Sequence, residues 1–143
     1  MEKILVSACL LGISCRYDGR SVPNDRVIAL GEKYTLIPIC PEIYGGLPTP
    51  RTPSERVGER VLMKDGTDVT ENYARGAAAT LRFAEISGAR YAILKAKSPS
   101  CGKGKIYDGT FTGNLVTGDG VTAENLTRVG INVLTEDELD LLP

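Results

Sequence analysis

Apolar residues along this chain fall into short blocks with two different rhythms. Ile4, Leu5 and Val6, followed by Ala8, form a continuous run that reads as a buried strand. Residues 35–39 form a second such run, and residues 91–96 (YAILKA) a third. Between the first two, Asn24 is placed to cap a helix over residues 25–33, with Val27, Ile28 and Leu30 turned inward. The strongest helical rhythm spans residues 71–87. Thr70 stands at its cap position, Ala74, Ala77, Ala78, Leu81, Ala84 and Ile86 mark the inward face, and Gly88 follows as the stop. Thr122 opens a further helix to about residue 129, residues 131–134 read as a last short strand, and Thr135 with Glu138 has the spacing of a capping box.

The stretches between these blocks carry turn residues. Residues 45–56 (GGLPTPRTPSER) are too rich in Pro and Gly for regular structure and predict a long loop. Asp65-Gly66, between β-prone stretches of residues 61–69, is a hairpin signal. Residues 98–120 are glycine-rich and read mostly as loop. Tyr-Asp-Gly occurs at 17–19 and 107–109 in different surroundings, so no internal repeat is present. Strands alternating with helices predict an α/β fold: a single compact domain over residues 1–143, with a mostly parallel sheet flanked by helices.

The length of 143 residues suits one domain. No apolar run is long enough for a bilayer-spanning helix. Met1-Glu2-Lys3 leads directly into Ile-Leu-Val without the core of a signal peptide, so a cytoplasmic location is expected. The absence of histidine excludes a Ser-His-Asp triad, a Cys-His pair, a Cys₂His₂ zinc site and an HExxH protease. With 17 basic against 18 acidic residues, no extended nucleic-acid surface is expected, while a small neutral or anionic ligand stays open.

The chemistry then rests on Cys9, Cys15, Cys40 and Cys101, which contain no CxxC pair. Cys9 follows the first strand, Cys40 ends the second, and Cys101 follows the third by a short loop. In an open parallel sheet the carboxyl ends of the strands share one edge, where ligands bind. Three thiolates without histidine favour soft metal chemistry: an iron–sulfur cluster, zinc or Cu(I). Three protein ligands leave one coordination position open for catalysis, and Cys15 is a possible fourth. The plain alternative is a set of small buried core residues. Two functional alternatives remain: a metal or sulfur carrier without turnover, and a zinc-stabilised binding domain closed by Cys15.

The neighbours of the cysteines are chemically useful. Glu42 lies two residues beyond Cys40 and is a candidate general base or acid, against the plainer reading of a solvated loop glutamate. Ser98 and Ser100 precede Cys101 and can donate to a bound oxygen or sulfur. Lys95, Lys97, Lys103 and Lys105 surround this loop and can offset negative charge. Gly118-Asp119-Gly120 before the Thr122 helix reads either as an anion site at a helix N-terminus or as a plain turn.

The longer motifs resemble a known family. They are Ser7-Ala8-Cys9-Leu10-Leu11-Gly12 with Cys15-Arg16-Tyr17-Asp18-Gly19; Cys40-Pro41-Glu42 with Gly45-Gly46-Leu47-Pro48-Thr49-Pro50-Arg51; Lys97-Ser98-Pro99-Ser100-Cys101-Gly102 with Tyr107-Asp108-Gly109; and Gly120-Val121-Thr122-Ala123. Their order and extent are similar to domain-of-unknown-function family 523, whose characterised member is a thiouracil desulfidase. The resemblance implies a Rossmann-like domain that holds a [4Fe–4S] cluster on Cys9, Cys40 and Cys101, a centre prone to loss in air. It implies non-redox removal of sulfur from a small thiolated base, nucleoside or nucleotide, with Glu42 catalytic. Ser98 corresponds to the catalytic serine, with Ser100 as its rival. Arg51, in the long loop, is available to a ring oxygen or a phosphate on this reading. Cys15 falls outside the implied ligand set.

Overall fold

The computed structural model describes all residues from Met1 to Pro143. The chain runs through β1 (Lys3–Ser7), α1 (Asp25–Ala29), β2 (Thr35–Ile39), α2 (Pro41–Tyr44), β3 (Ser54–Val57), β4 (Arg60–Met63), α3 (Thr70–Ser87), β5 (Tyr91–Leu94), β6 (Lys105–Tyr107), β7 (Leu115–Thr117), α4 (Val121–Arg128) and β8 (Asn132–Thr135). Short 3₁₀ turns cover Ala8–Leu11, Leu30–Glu32 and Leu139–Leu141.

Four strands form one parallel sheet in the order β2-β1-β5-β8. The alternation of side chains in β1 divides the core between its two faces. Ile4 and Val6 join Val27, Tyr34, Ile93 and Leu134 on one side; Leu5 joins Ile39, Ala84, Ala92, Leu94 and Leu126 on the other. The chain leaves β1 for β2 on one flank and then crosses to β5 on the other. The carboxyl end of β1 is therefore the point where the winding reverses, and such points open a crevice. No helix is long and apolar enough to cross a membrane.

Several local expectations are corrected. Within the strand over residues 35–39 only Ile39 is buried, because β2 is a sheet edge. Asn24 caps α1 by accepting the Val27 N–H at 3.1 Å, but the helix stops at Ala29 and Ile28 is 43% exposed. The loop expected over residues 45–56 contains the start of β3, which pairs with β4. The turn of that hairpin is Gly58-Glu59; Asp65-Gly66 forms a second turn, closed by a bridge between Leu62 and Asp68. Residues 98–120 contain the β6–β7 hairpin. All three residues of β7 are exposed, so no inward–outward alternation marks it in the sequence.

α3 has the expected length but a different inner face. Tyr73, Gly76, Ala77, Thr80 and Ala84 are buried, whereas Ala74, Ala78 and Ile86 are exposed. Close approach to α2 sets this face: a Cβ on Gly76 would lie 1.8 Å from the Pro41 carbonyl oxygen. Thr70 does not cap the helix. Its Oγ1 accepts the Val61 N–H at 2.9 Å instead, joining α3 to the hairpin. Thr122 is likewise no cap, since Gly120 holds that position with no side-chain bond. At the C-terminal end, the Thr135 N–H donates to Glu138 Oε1 at 3.0 Å, and the turn continues as 3₁₀ helix.

Candidate functional site

The crevice at the carboxyl ends of β1, β2 and β5 is a cavity of about 590 Å³. Cys9, Cys15, Cys40 and Cys101 all line it, as do Glu42, Arg51, Ser98 and Ser100. Cys9 sits in the turn that follows β1, and Cys40 is the residue before the first turn of α2. Cys101 lies in a turn that α4 holds from behind. The Val121 N–H donates to the Pro99 oxygen, and the Thr122 and Ala123 N–H groups donate to the Ser100 oxygen, at 2.9–3.1 Å. The free N–H groups at this helix start are thus already paired, and no anion site remains at Gly118-Asp119-Gly120. The Asp119 carboxylate accepts the Gly104 N–H at 2.7 Å.

The thiols of Cys9, Cys15 and Cys40 form a contiguous group, with Cys15 in hydrogen-bonding reach of the other two. The bond to Cys15, followed by burial, pushes the Cys40 thiol well above the usual thiol range. Burial pushes Cys101 up to about 12, against the opposing pull of the Ser7 and Ser100 hydroxyls. At neutral pH Cys40 and Cys101 are therefore protonated, and a metal that takes their sulfurs expels protons. No three donors meet closely enough to hold one metal ion.

Glu42 stands in the first turn of α2 and is held from two sides. Its Oε1 accepts Arg51 Nε and Nη2, each at 3.0 Å, and its Oε2 accepts the Ser100 hydroxyl at 2.9 Å. Ser98 Oγ lies 3.0 Å from Ser100 Oγ and accepts the backbone N–H groups of Ser100 and Cys101, both at 3.1 Å. The direction of this chain follows from proton counting. A carboxylate only accepts, so the single Ser100 proton points chiefly to Glu42 at 2.9 Å, with the Cys101 sulfur a longer acceptor at 3.6 Å, and the Ser98 hydroxyl must donate to Ser100. Ser100 is buried, and Ser98 is the more open end of the chain.

Arg51 is corrected by the same count. Besides Glu42, its N–H groups reach the Pro48 oxygen at 3.1 Å, Thr49 Oγ1 at 3.1 Å and the Cys15 oxygen at 2.9 Å. All five donors are taken, and the side chain is only 3% exposed. The guanidinium therefore orients Glu42 and the Cys15 turn, and has no donor left for a ring oxygen or a phosphate. Of the four lysines, Lys95 and Lys97 line the cavity, while Lys103 and Lys105 do not. Lys95 is paired with Glu136 at 2.8 Å.

Other lining residues were not singled out in the sequence. Tyr73 on α3 lies beside Glu42 and Ser54; burial, and then the charge of Glu42, push its hydroxyl above the usual phenol range. Glu55 is a buried carboxylate on β3, and Tyr107 and Phe111 flank it along the cavity wall. The available signal for Glu55 was an acidic residue inside a β-prone stretch, masked by the prolines before it.

The family model described as 2-thiouracil desulfurase matches residues 4–138 of this chain. A solved structure, the [4Fe–4S]-dependent thiouracil desulfidase TudS, superposes with a TM-score of 0.92 at 48% identity, over 98% of this chain and 94% of that one. The Bacillus subtilis (strain 168) protein YbbK is 44% identical over 147 residues, which covers 96% of this chain and 97% of its own.

Proposed function

The chain belongs to the 2-thiouracil desulfurase family, and on that premise we propose that it removes sulfur from a thiolated uracil, free or as its nucleoside or nucleotide, by hydrolysis. Cys9, Cys40 and Cys101 hold a [4Fe–4S] cluster. The donor set suits that group. The sulfurs follow three separate strands and line one cavity without converging on a single point, and thiolates are the ligands that an iron–sulfur cluster takes. Thiolates beside one another also need a cationic centre between them, since the Cys15 contact and burial raise Cys40 and burial raises Cys101. Cys15 borders the site without belonging to the set. When bound, the cluster supplies a soft Lewis-acidic position for the thiocarbonyl sulfur.

The remaining work falls to side chains. Glu42, with Oε1 fixed by Arg51, accepts a proton from the water that attacks the ring carbon. The new bond is carbon–oxygen, the broken one carbon–sulfur, and sulfur leaves as hydrogen sulfide with the two protons of water. No electron is gained or lost. Ser98 is the outer and Ser100 the inner link of the chain to Glu42, so the two serines divide one role in carrying a proton to the carboxylate.

The observation that carries this reading is the Ser98–Ser100–Glu42 chain beside three thiols in one cavity. The test uses protein prepared and reconstituted without oxygen, assayed for iron, zinc, acid-labile sulfide and sulfide release from 4-thiouracil. About four iron and four sulfide per chain are expected. Glu42→Ala is expected to keep both and to lose about 10²–10⁴-fold in turnover. Zinc without sulfide, no desulfuration by the loaded protein, or a fully active Glu42→Ala variant overturns the proposal.

A further inference from the structure

Beyond the thiols and the Ser98–Ser100–Glu42 chain, the cavity has a second wall that this chemistry does not use. Its anchor is Glu55 on β3, 8% exposed and without any cationic partner. Burying a carboxylate is costly unless it is fully hydrogen-bonded. Here one oxygen, Oε1, accepts two backbone N–H groups, from Gly109 at 2.8 Å and from Phe111 at 3.1 Å. The carboxylate thereby clasps the β6–β7 connection onto β3, across more than fifty residues of sequence. Gly109 seats the same connection from a second side: a Cβ there would lie 2.2 Å from Val57 Cγ2.

The clasp has a conformational product. Phe111 adopts φ 58°, and the other non-glycine residue with positive φ is Lys97, at 71°. Both line the cavity. The left-handed region is unfavourable for a bulky side chain and persists where surrounding bonds over-determine it. The result is a half-buried phenylalanine on the wall of a cavity rich in polar groups.

We infer that Phe111 is the stacking platform for the pyrimidine ring of the substrate, and that Glu55 is the positioning residue that holds it. A pyrimidine offers a flat π-face that an aromatic side chain recognises by offset or tilted contact. Tyr107 lines the same cavity, but the bonds from Glu55 go to residues 109 and 111 and not to it. This inference rests on the proposed activity in one respect: the ring is that of a thiolated uracil.

The test uses the reconstituted protein with 4-thiouracil. Phe111→Ala is expected to raise KM by about 5- to 150-fold, the ratio equivalent to one base–aromatic stack. Its kcat and its iron and sulfide content stay near wild type, and Phe111→Tyr restores KM. Glu55→Ala raises KM in the same way, whereas Glu55→Gln, which keeps an acceptor oxygen, stays close to wild type. Because Glu55 acts through Phe111, the double alanine variant is no worse than Phe111→Ala alone. An unchanged KM in Phe111→Ala overturns the platform, and fully additive effects overturn the positioning role. If wild type releases no sulfide, the proposed activity fails, and equilibrium dialysis of 4-thiouracil decides this inference separately. Binding that weakens in Phe111→Ala supports it; equal binding, or none to wild type, overturns it.

Discussion

Replacing Arg51 by alanine removes the side chain with the most hydrogen bonds at the site. Its guanidinium is 3% exposed and its partner Glu42 15% exposed, with their atoms 3.0 Å apart. Removing one member of a pair this deeply buried leaves an uncompensated carboxylate, which costs about 3–5 kcal/mol. The Cys15 and Pro48 oxygens lose their donor as well. Against a total stability of about 5–15 kcal/mol, the loss is large. At about 2–4 °C per kcal/mol for a chain of this size, the melting temperature is expected to fall by about 6–20 °C. Turnover is expected to fall by about 10²-fold, because Glu42 loses the group that fixes its orientation. Arg51→Lys keeps the charge but cannot reach all of these acceptors from one ammonium, so it falls between. Circular dichroism melts and steady-state assays with 4-thiouracil measure both effects. An Arg51→Ala protein that melts within about 2 °C of wild type refutes the burial argument. A variant with intact kcat and a raised KM alone would show that Arg51 touches substrate after all.

Two further outcomes follow from single side chains away from the cavity chemistry. Thr122 Oγ1 is buried with no hydrogen-bond partner, so Thr122→Val, of nearly the same shape, is expected to raise the unfolding midpoint, with a gain of about 1–3 kcal/mol in denaturant titration; a loss would reveal a partner for the hydroxyl. The Thr135 N–H, and then Lys103, hold the Glu138 carboxyl below its usual value of 4.5. Its contribution to stability is therefore present above pH 4.5 and disappears as pH falls through the lower folded value. Glu138→Gln should melt earlier than wild type at pH 7, with the gap closing in acid; a gap that persists unchanged at low pH contradicts the linkage.

What the sequence made legible follows from how strongly each position is buried. β1 and β5 are almost wholly buried, so their apolar runs announced them. Once they were placed, the convergence of Cys9, Cys40 and Cys101 followed from parallel topology alone. β7 is exposed on both faces, and β3 follows a proline-rich stretch; neither carries a burial pattern to read. Apolar content is a poor guide to the inner face of α3. Packing there selects for smallness, and Gly76 against Pro41 matters more than Ala74 or Ile86. Arg51 was visible as a cation beside the site, but a count of acceptors around it needs coordinates. Glu55 and Phe111 form their clasp between β3 and the β6–β7 connection, which no burial pattern marks in the sequence.

The separation of the three thiols along the chain sets the order of events in making the protein. Cys9 and Cys40 follow neighbouring strands, but Cys101 joins them only after the α3 crossover has docked β5 beside β1. A ribosome must therefore release residue 101 before the complete receptacle exists. The two core clusters that close the sheet include Cys9 and Cys15 on one face and Cys101 on the other, so the receptacle is completed together with the core. The site is thus the last feature of the fold to be completed, and a chain truncated before β5 would carry at most three of the four thiols.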